Sequence, residues 1–227
     1  MNLSLDKKTL DKSFSYIISP EISEFCRFSP KLKIGVLASG KGTNFQELIN
    51  LSEKGELDID IKVLITNKDD AGCIKRAESV KIPYKIIRGK DFSQKELFEL
   101  EIINTLINYD VELIVMAGWM KIVSSFFINK FRNKIINIHP SLLPAYKGGS
   151  AIKNSILSGS KITGCSVHFV EEEVDSGLLI MQAALSIRND DDIESLSNRI
   201  QMLEHKILPQ SISLAGFMIR SNFMENY

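Results

Sequence analysis

The feature that most constrains the fold is a regular alternation of short apolar segments with longer helical ones, which begins at Leu32. Apolar and β-branched runs predict strands, and apolar residues at helical spacing predict the helices between them. The predicted strands are residues 32–38, 59–66, 84–87, 113–117 and 134–138, and the predicted helices begin at residues 44, 71, 91 and 122. Strands that alternate with helices form a doubly wound, mostly parallel α/β sheet of the Rossmann type.

The third predicted helix starts with Ser93 and Glu96, which are spaced as a capping box. Its predicted apolar side consists of Leu97, Leu100, Ile103 and Leu106. The fourth is expected to cover residues 122–131.

The pattern changes beyond residue 160. Residues 163–170 and 178–186 predict two strands, which we expect to be antiparallel. Asp192 then opens a long final helix that runs towards residue 219. The predicted fold class is therefore α/β, with a Rossmann-type N-terminal half, antiparallel C-terminal strands and a long final helix.

Residues 32–227 are predicted to form one domain, because no repeat, low-complexity tract or linker divides them. Residues 1–31 are predicted to be an N-terminal extension that is weakly structured or docks on this domain. Their one apolar stretch, around Tyr16, is too short for the core of a signal peptide and has acidic neighbours.

Composition narrows the class of protein. The chain has 28 basic and 28 acidic residues, and this balance argues against a nucleic-acid partner. Cys26, Cys73 and Cys165 lie far apart without metal-type spacing, which indicates free thiols in a reducing compartment. The longest apolar runs are far shorter than a membrane span. We expect a cytoplasmic protein that acts on small molecules, as a monomer or homodimer, without a metal or a membrane partner.

The turn after the first strand, residues 39–44, reads SGKGTN. Glycines let the backbone approach an anion, and the amides at the start of the next helix favour a phosphate. The spacing fits neither a nucleoside-triphosphate loop nor a complete dinucleotide fingerprint. A plain strand–helix turn is the alternative, but it would not need the polar side chains of Thr43 and Asn44. We therefore predict that Gly42, Thr43 and Asn44 bind a phosphate monoester.

Asn137 and His139 come at the carboxyl end of the strand at 134–138. Alternation places them on the same side of the strand, and ligands of open α/β sheets bind outside such strand ends. An amide and an imidazole there can serve one reacting carbonyl, Asn137 as oxyanion donor and His139 as proton carrier. The alternative is a capping Asn and a structural His. Pro140 and Pro144, which fix the segment, favour the catalytic interpretation.

The acidic run at residues 171–173 is predicted to be solvated surface, but Asp175 is different. The turn at Ser176 and Gly177 could fold the Asp175 carboxylate back into a cleft, where it would orient a histidine and favour its charged form. For His168, a structural role and a place in the site remain equally open.

Four motifs in this order resemble phosphoribosylglycinamide formyltransferases that use 10-formyltetrahydrofolate. They are residues 39–44, 117–120 and 137–144, and Asp175 followed by Gly177. The similarity covers residues 32–219. It implies transfer of a formyl group from the folate to the amine of N1-(5-phosphoribosyl)glycinamide, in purine biosynthesis, without a metal.

The resemblance also implies roles by position. Gly42, Thr43 and Asn44 match the loop that binds the substrate phosphate, and Glu204 matches a carboxylate that meets the ribose. The catalytic trio corresponds to Asn137, His139 and Asp175. The folate contacts correspond to Lys95, Met120, Lys121, Ile122, Val123 and Asn137. The Leu143–Pro144 peptide is expected to be cis.

The sequence departs from the family at Lys95 and Lys121, where many relatives have Arg, so a point charge replaces a bidentate fork. Two other enzymes share the core but fit less well. Formyltetrahydrofolate hydrolase does not need a phosphate loop and carries a larger N-terminal domain, and methionyl-transfer-RNA formyltransferase needs an additional RNA-binding domain. A non-catalytic sugar-phosphate binder would leave the trio without a purpose.

Overall fold

A computed structural model of the chain describes residues 15–223. The strands are β1 (Tyr16–Ser19), β2 (Leu32–Leu37), β3 (Ile59–Thr66), β4 (Tyr84–Ile86), β5 (Leu113–Met116), β6 (Ile135–His139), β7 (Ile162–Phe169) and β8 (Leu179–Ser186). The α-helices are α1 (Thr43–Glu53), α2 (Gly72–Ser79), α3 (Lys95–Asn108), α4 (Ser125–Lys130), α5 (Ala151–Leu157) and α6 (Ile193–Arg220).

All of these strands belong to one sheet with the order β1-β8-β7-β6-β5-β2-β3-β4. Strands β4, β3, β2, β5 and β6 are parallel to one another, whereas β7, β8 and β1 add on in antiparallel orientation. The predicted fold class is confirmed. The chain moves outward from β2 to β4 and then returns to the other side of β2, so the strand order reverses between β2 and β5. Ligands of such sheets bind in the crevice beyond this point, at the carboxyl ends of the strands.

Helices cover both faces of the sheet. On one face, α1, α2 and α6 pack in a common core around large buried residues such as Phe45, Leu48 and Leu203. On the other face, α3 and α4 pack around Phe98 and Phe127. Each fully buried large apolar side chain contributes about 1.5–3 kcal/mol, and these two layers hold the strand ends in place.

The prediction for α3 was wrong in two respects. The helix begins at Lys95, and its N-cap residue Gln94 makes no side-chain cap hydrogen bond, so the capping box of Ser93 and Glu96 is absent. Leu97 and Leu100 are 45% and 39% exposed. The buried side instead includes Phe98, Ile102, Ile103 and Leu106. The Phe98 ring stacks on Trp119, with the centroids 6.4 Å apart, and this contact turns the helix towards the sheet.

The fourth helix is shorter than predicted. It starts only after Ser124, whose side chain accepts a hydrogen bond from the Phe127 N–H. The Glu99 carboxylate on α3 accepts hydrogen bonds from the backbone N–H and the hydroxyl of Ser124. Residues 120–124 therefore form an irregular segment after β5 instead of a helical turn. The cis Leu143–Pro144 peptide was predicted correctly.

Helix α5 and strand β1 were not predicted. Strand β1 pairs with β8, with Tyr16 opposite Leu185 and Ser19 opposite Gln182. The chain then carries Phe28 into the core of the α6 face, beside Gly216, where an added Cβ would meet the Phe28 ring at 2.8 Å. The described part of the extension, residues 15–31, thus packs against the sheet and α6, and residues 1–14 lie outside the described residues. No helix in the described range is long and apolar enough to cross a membrane.

Candidate active site

A cavity of about 610 Å³ opens at the carboxyl ends of β2, β5 and β6. It is lined by the turn after β2, the segment after β5, the end of β6, the loops before α5 and after β7, and two residues of α6. The predicted site residues on this wall are Gly42, Thr43, Asn44, Met120, Lys121, Ile122, Val123, Asn137, His139, Asp175 and Glu204. Residues from six separate chain segments therefore meet in one space.

The start of α1 forms part of the cavity wall. Gly42 has φ +72° and lies so close to α2 that an added Cβ would come within 2.6 Å of the Cys73 Cβ, so this position requires glycine. The first N–H groups of a helix have no partner within the helix and lie at the positive end of its dipole. This part of the wall therefore suits an anion.

Asn44 and Glu204 lie beside the start of α1. The Asn44 amide Nδ2 donates to the Glu204 Oε2 at 2.9 Å. Burial raises the pKa of the Glu204 carboxyl, while the Asn44 hydrogen bond opposes that change. The buried Oδ1 of Asn44 has no hydrogen-bond partner among the residues that the structure describes. An acceptor is thus open for a donor group of a ligand.

The catalytic trio predicted from the sequence comes together on the wall of the cavity. His139 Nδ1 lies 3.3 Å from Asp175 Oδ2, and the Asn137 amide Nδ2 lies 3.5 Å from Asp175 Oδ1. Asp175 has φ +50°, so the turn after β7 takes a left-handed conformation that folds its carboxylate back towards β6. Both side chains of the His139–Asp175 pair are 8% exposed.

Both ring nitrogens of His139 lie beside hydrogen-bond acceptors. Its Nε2 lies 2.9 Å from the carbonyl oxygen of Tyr146, which can only accept a hydrogen bond. Its Nδ1 faces the Asp175 carboxylate, which also accepts. The two ring nitrogens therefore both have acceptors, and the doubly protonated imidazolium satisfies both of them.

His168 is also part of this cluster, which resolves the question that the sequence left open. It lies opposite Asn137 in the β6–β7 register. Its Nδ1 donates to the Phe169 carbonyl at 2.7 Å, which leaves Nε2 to face Asn137 Nδ2 at 3.3 Å and Asp175 Oδ1 at 3.4 Å. His168 therefore contacts both the Asn137 amide and the Asp175 carboxylate through Nε2.

Asp175 lies between the two imidazoles and has an unusual acidity. Burial by itself would raise the pKa of the carboxyl. Hydrogen bonds from His168 and from the Gly148 N–H, together with the charges of the two histidines, outweigh burial and lower the pKa to about 2. The Gly148 N–H donates to Asp175 Oδ2 at 2.8 Å. Asp175 is therefore ionised throughout the neutral range.

The segment after β5 forms a more apolar part of the cavity wall. Met120 and Ile122 are 74% and 67% exposed, although both are large apolar side chains, and they line the cavity mouth. The predicted folate contact Lys95 is not among the lining residues. It lies at the start of α3, with its Nζ 3.7 Å from Glu99 Oε1. It thus contacts the carboxylate that holds Ser124, behind the lining segment.

Motif reasoning missed part of the wall. Gln201, one turn before Glu204 on α6, lines the cavity, as do residues 148–150 of the loop before α5 and Ala151 at the start of that helix. The helical spacing of 201 and 204 would have placed both on one face of the final helix. Within residues 15–223, no group of three or more His, Cys, Asp and Glu side chains is arranged to hold a metal ion. The absence of a metal remains a prediction.

An α/β sheet with an anion-binding turn, a buried Asn–His–Asp cluster and an apolar cleft in one cavity is suited to a group-transfer reaction, and comparison with known proteins gives the family. A model of the formyl transferase family matches residues 32–212. The chain belongs to the formyl transferase family.

Relatives of known sequence and structure agree with this assignment. The chain is 41% identical over 189 residues to the trifunctional purine biosynthetic protein adenosine-3 of Chironomus tentans, and 40% identical over 186 residues to that of Gallus gallus. These matches cover 82% of the chain but only 14% and 18% of the two relatives, so the chain spans less than a fifth of their length.

The solved structure of glycinamide ribonucleotide transformylase 1 from Symbiobacterium toebii matches with a TM-score of 0.81 at 35% identity, covering 83% of the chain and 89% of that structure. The phosphoribosylglycinamide formyltransferase of Coxiella burnetii, solved with CHES, matches with a TM-score of 0.76 at 40% identity, covering 81% and 86%.

Proposed function

We propose that the protein transfers the formyl group of 10-formyltetrahydrofolate to the amine of N1-(5-phosphoribosyl)glycinamide, in de novo purine biosynthesis. The observation that carries this proposal is that three kinds of group line one cavity. They are the anion-binding turn at Gly42, the apolar segment around Met120 and the Asn137–His139–Asp175 cluster. A ribonucleotide bound at the turn and a folate bound at the apolar segment would share one space with the cluster.

The chemistry follows from the cluster. The substrate amine attacks the formyl carbon and the carbonyl oxygen becomes an oxyanion. The bond to N10 of the folate then breaks, one proton leaves the attacking nitrogen, and one is delivered to N10. Preorganised donors in a buried site stabilise an oxyanion strongly. The Asn137 amide and the His139 Nε2–H are the two donors of the cluster. In the structure the His139 Nε2–H donates to the Tyr146 carbonyl, and in the reaction this N–H is available to the oxyanion.

Asp175 and His168 support these donors. The ionised Asp175 compensates the positive charge of His139, and its lowered pKa keeps it ionised at neutral pH. His168 contacts the Asn137 amide and the Asp175 carboxylate through Nε2, and its Nδ1 donates to the Phe169 carbonyl. We assign His168 a positioning role.

The remaining assignments complete the proposal. Gly42, Thr43 and Asn44 bind the phosphate and Glu204 the ribose. The folate contacts the segment from Met120 through Lys121 and Ile122 to Val123, and Lys95 carries charge nearby. The enzyme needs no metal, acts in the cytoplasm, and is a monomer or a homodimer.

The test is to incubate the protein with both substrates and follow the folate absorbance. Purified His139→Ala and Asp175→Asn should each lose on the order of 10²–10⁴ in turnover, the range for a positioned acid–base. Because the two residues act as a unit, the double variant should lose far less than the product of the single losses.

Other outcomes point to other functions. Losses that simply multiply would mean that His139 works without Asp175. Release of formate without the ribonucleotide would indicate a hydrolase, and ribonucleotide binding without turnover would indicate a sugar-phosphate binder. The exposed Glu173, which pairs with Lys147 at 2.8 Å, provides the control: Glu173→Gln should keep wild-type turnover.

A further inference from the structure

Helix α2 packs directly beneath the turn that leads into α1. The Cys73 N–H donates to the Gly40 carbonyl at 3.2 Å, and Gly72 approaches so closely that an added Cβ would lie 3.2 Å from the Lys41 Cα and carbonyl oxygen. Gly42 meets Cys73 in the same way from the other side. The conformation of residues 40–42 is therefore fixed by close packing against α2.

Arg76 is the polar side chain of α2 that bridges this turn to α1. Its Nε donates to the Lys41 carbonyl oxygen at 2.8 Å, and its Nη1 donates to Gln46 Oε1 at 2.9 Å. Gln46 in turn donates to Asn50 Oδ1, one turn further along α1, at 2.9 Å. The planar guanidinium fixes two directions at once, which an ammonium group cannot do.

The geometry of the peptide bond gives this bridge a consequence for binding. In a trans peptide the C=O and the following N–H point in opposite directions. Arg76 holds the Lys41 carbonyl on the α2 side, so the N–H of Gly42, which lines the cavity, is directed away from α2. The hydrogen bond from the Cys73 N–H holds the Gly40 carbonyl on the α2 side in the same way. The N–H of Lys41 is therefore also directed away from α2.

We propose that Arg76 is a positioning residue for phosphate binding, which acts by holding the Lys41 carbonyl so that the amides of the turn face the anion. This inference rests on the proposed role of residues 42–44. This positioning role can be distinguished from a simple effect of positive charge. Lys75, on the same helix, carries an equal charge and lines the same outer groove as Lys41 and Arg76.

The test compares Arg76→Met, Arg76→Lys and the matched control Lys75→Met in the full chain. Two quantities are measured: the dissociation constant of inorganic phosphate, by isothermal titration calorimetry, and kcat with both KM values in the formyl-transfer assay. Arg76→Met should weaken phosphate binding and raise the KM for the ribonucleotide on the order of 10-fold, as loss of a charge-assisted hydrogen bond implies. The kcat and the KM for the folate of Arg76→Met should stay near wild type. In phosphate affinity and ribonucleotide KM, Arg76→Lys should lie between Arg76→Met and the wild type, and Lys75→Met should have a much smaller effect.

The proposal is overturned if Arg76→Met binds phosphate like the wild type, or if Lys75→Met loses as much phosphate affinity as Arg76→Met. It is also overturned if Arg76→Lys retains full phosphate affinity, since charge alone would then suffice. Should Arg76→Met fail to fold, Arg76→Lys, which keeps the charge and most of the aliphatic stem, decides the question. A wild type that binds phosphate but transfers no formyl group overturns the proposed reaction, and the phosphate affinities still test Arg76. A wild type that binds no phosphate overturns the role of Arg76.

Discussion

Replacing Asp175 by Asn tests the electrostatics of the cluster in the folded protein. Asn has nearly the same shape and adopts positive φ more readily than most residues, so the backbone at φ +50° is retained and mainly the charge is lost. The pKa of Asp175 falls from an ordinary value of 3.8 to about 2. At about 1.36 kcal/mol per pKa unit, this corresponds to about 2 kcal/mol of folding stability at neutral pH.

The sign of the pH dependence follows from the direction of the shift. A carboxyl whose folded pKa is lowered contributes stability above its unfolded pKa and loses it as the pH falls through the folded value. The contribution should be complete at pH 5 and fall to about half at pH 3. Both values lie below the ordinary imidazole pKa of about 6.5, so free histidines are charged at both and the comparison isolates Asp175.

The assay is urea unfolding of wild type and Asp175→Asn at pH 5 and pH 3, followed by the fluorescence of Trp119, the only tryptophan of the chain. The difference in unfolding free energy between the two proteins should shrink by about 1 kcal/mol between the two pH values. Glu173→Gln, at an exposed ion pair, should differ from wild type by less than about 1 kcal/mol at either pH. An equal difference at pH 5 and pH 3 for Asp175→Asn would refute the assignment of its low pKa.

Two further predictions concern other parts of the molecule. Phe28→Ala should lower the unfolding free energy by about 3–5 kcal/mol, because it empties a buried site beside Gly216. Ile17→Ala, at a position 72% exposed in the same segment, should cost much less, and equal losses in urea unfolding would contradict the packing argument. Glu204→Gln should raise the KM for the ribonucleotide yet stabilise the protein increasingly as the pH rises above the ordinary glutamate pKa. Burial raises the folded pKa of Glu204, so the wild type loses stability as the pH rises through that value; a stability difference that does not grow with pH would contradict it.

The elements that could be predicted from the sequence are those whose pattern of apolar and polar residues is compatible with only one local structure. Strand β5 is a continuous apolar run, and such a run fits only a strand that is buried on both faces. The strand-end placement of Asn137 and His139 followed from alternation alone, because every second residue of a strand shares a face. Both predictions depend on local geometry that neighbouring elements cannot change.

Helix α3 shows where a local pattern has two solutions. Its residues include Leu97, Leu100 and Ile107 on one side and Phe98 and Ile102 on the other, so both sides are apolar enough to face the sheet. The choice between them depends on a partner far along the chain. Phe98 stacks on Trp119, and no periodicity within the helix contains that information.

The place of His168 was hidden for a related reason. A histidine on a strand is structural or functional according to the residue opposite, and the register of β7 against β6 decides that His168 faces Asn137. Register is set by the whole sheet and by the turns that connect its strands. The sequence therefore identified the histidine as a candidate but could not assign it.

Backbone groups account for the part of the site that a sequence motif cannot show. The Tyr146 carbonyl accepts from His139, and the Gly148 N–H donates to Asp175, so one short loop contacts both His139 and Asp175 through backbone groups. Beside the turn that leads into α1, Arg76 donates to the Lys41 carbonyl. A motif records side chains, and it therefore includes the residues that contact substrate but omits those that direct peptide groups. Substitutions that change only the direction of these peptide groups should consequently alter binding and turnover while every motif residue remains in place.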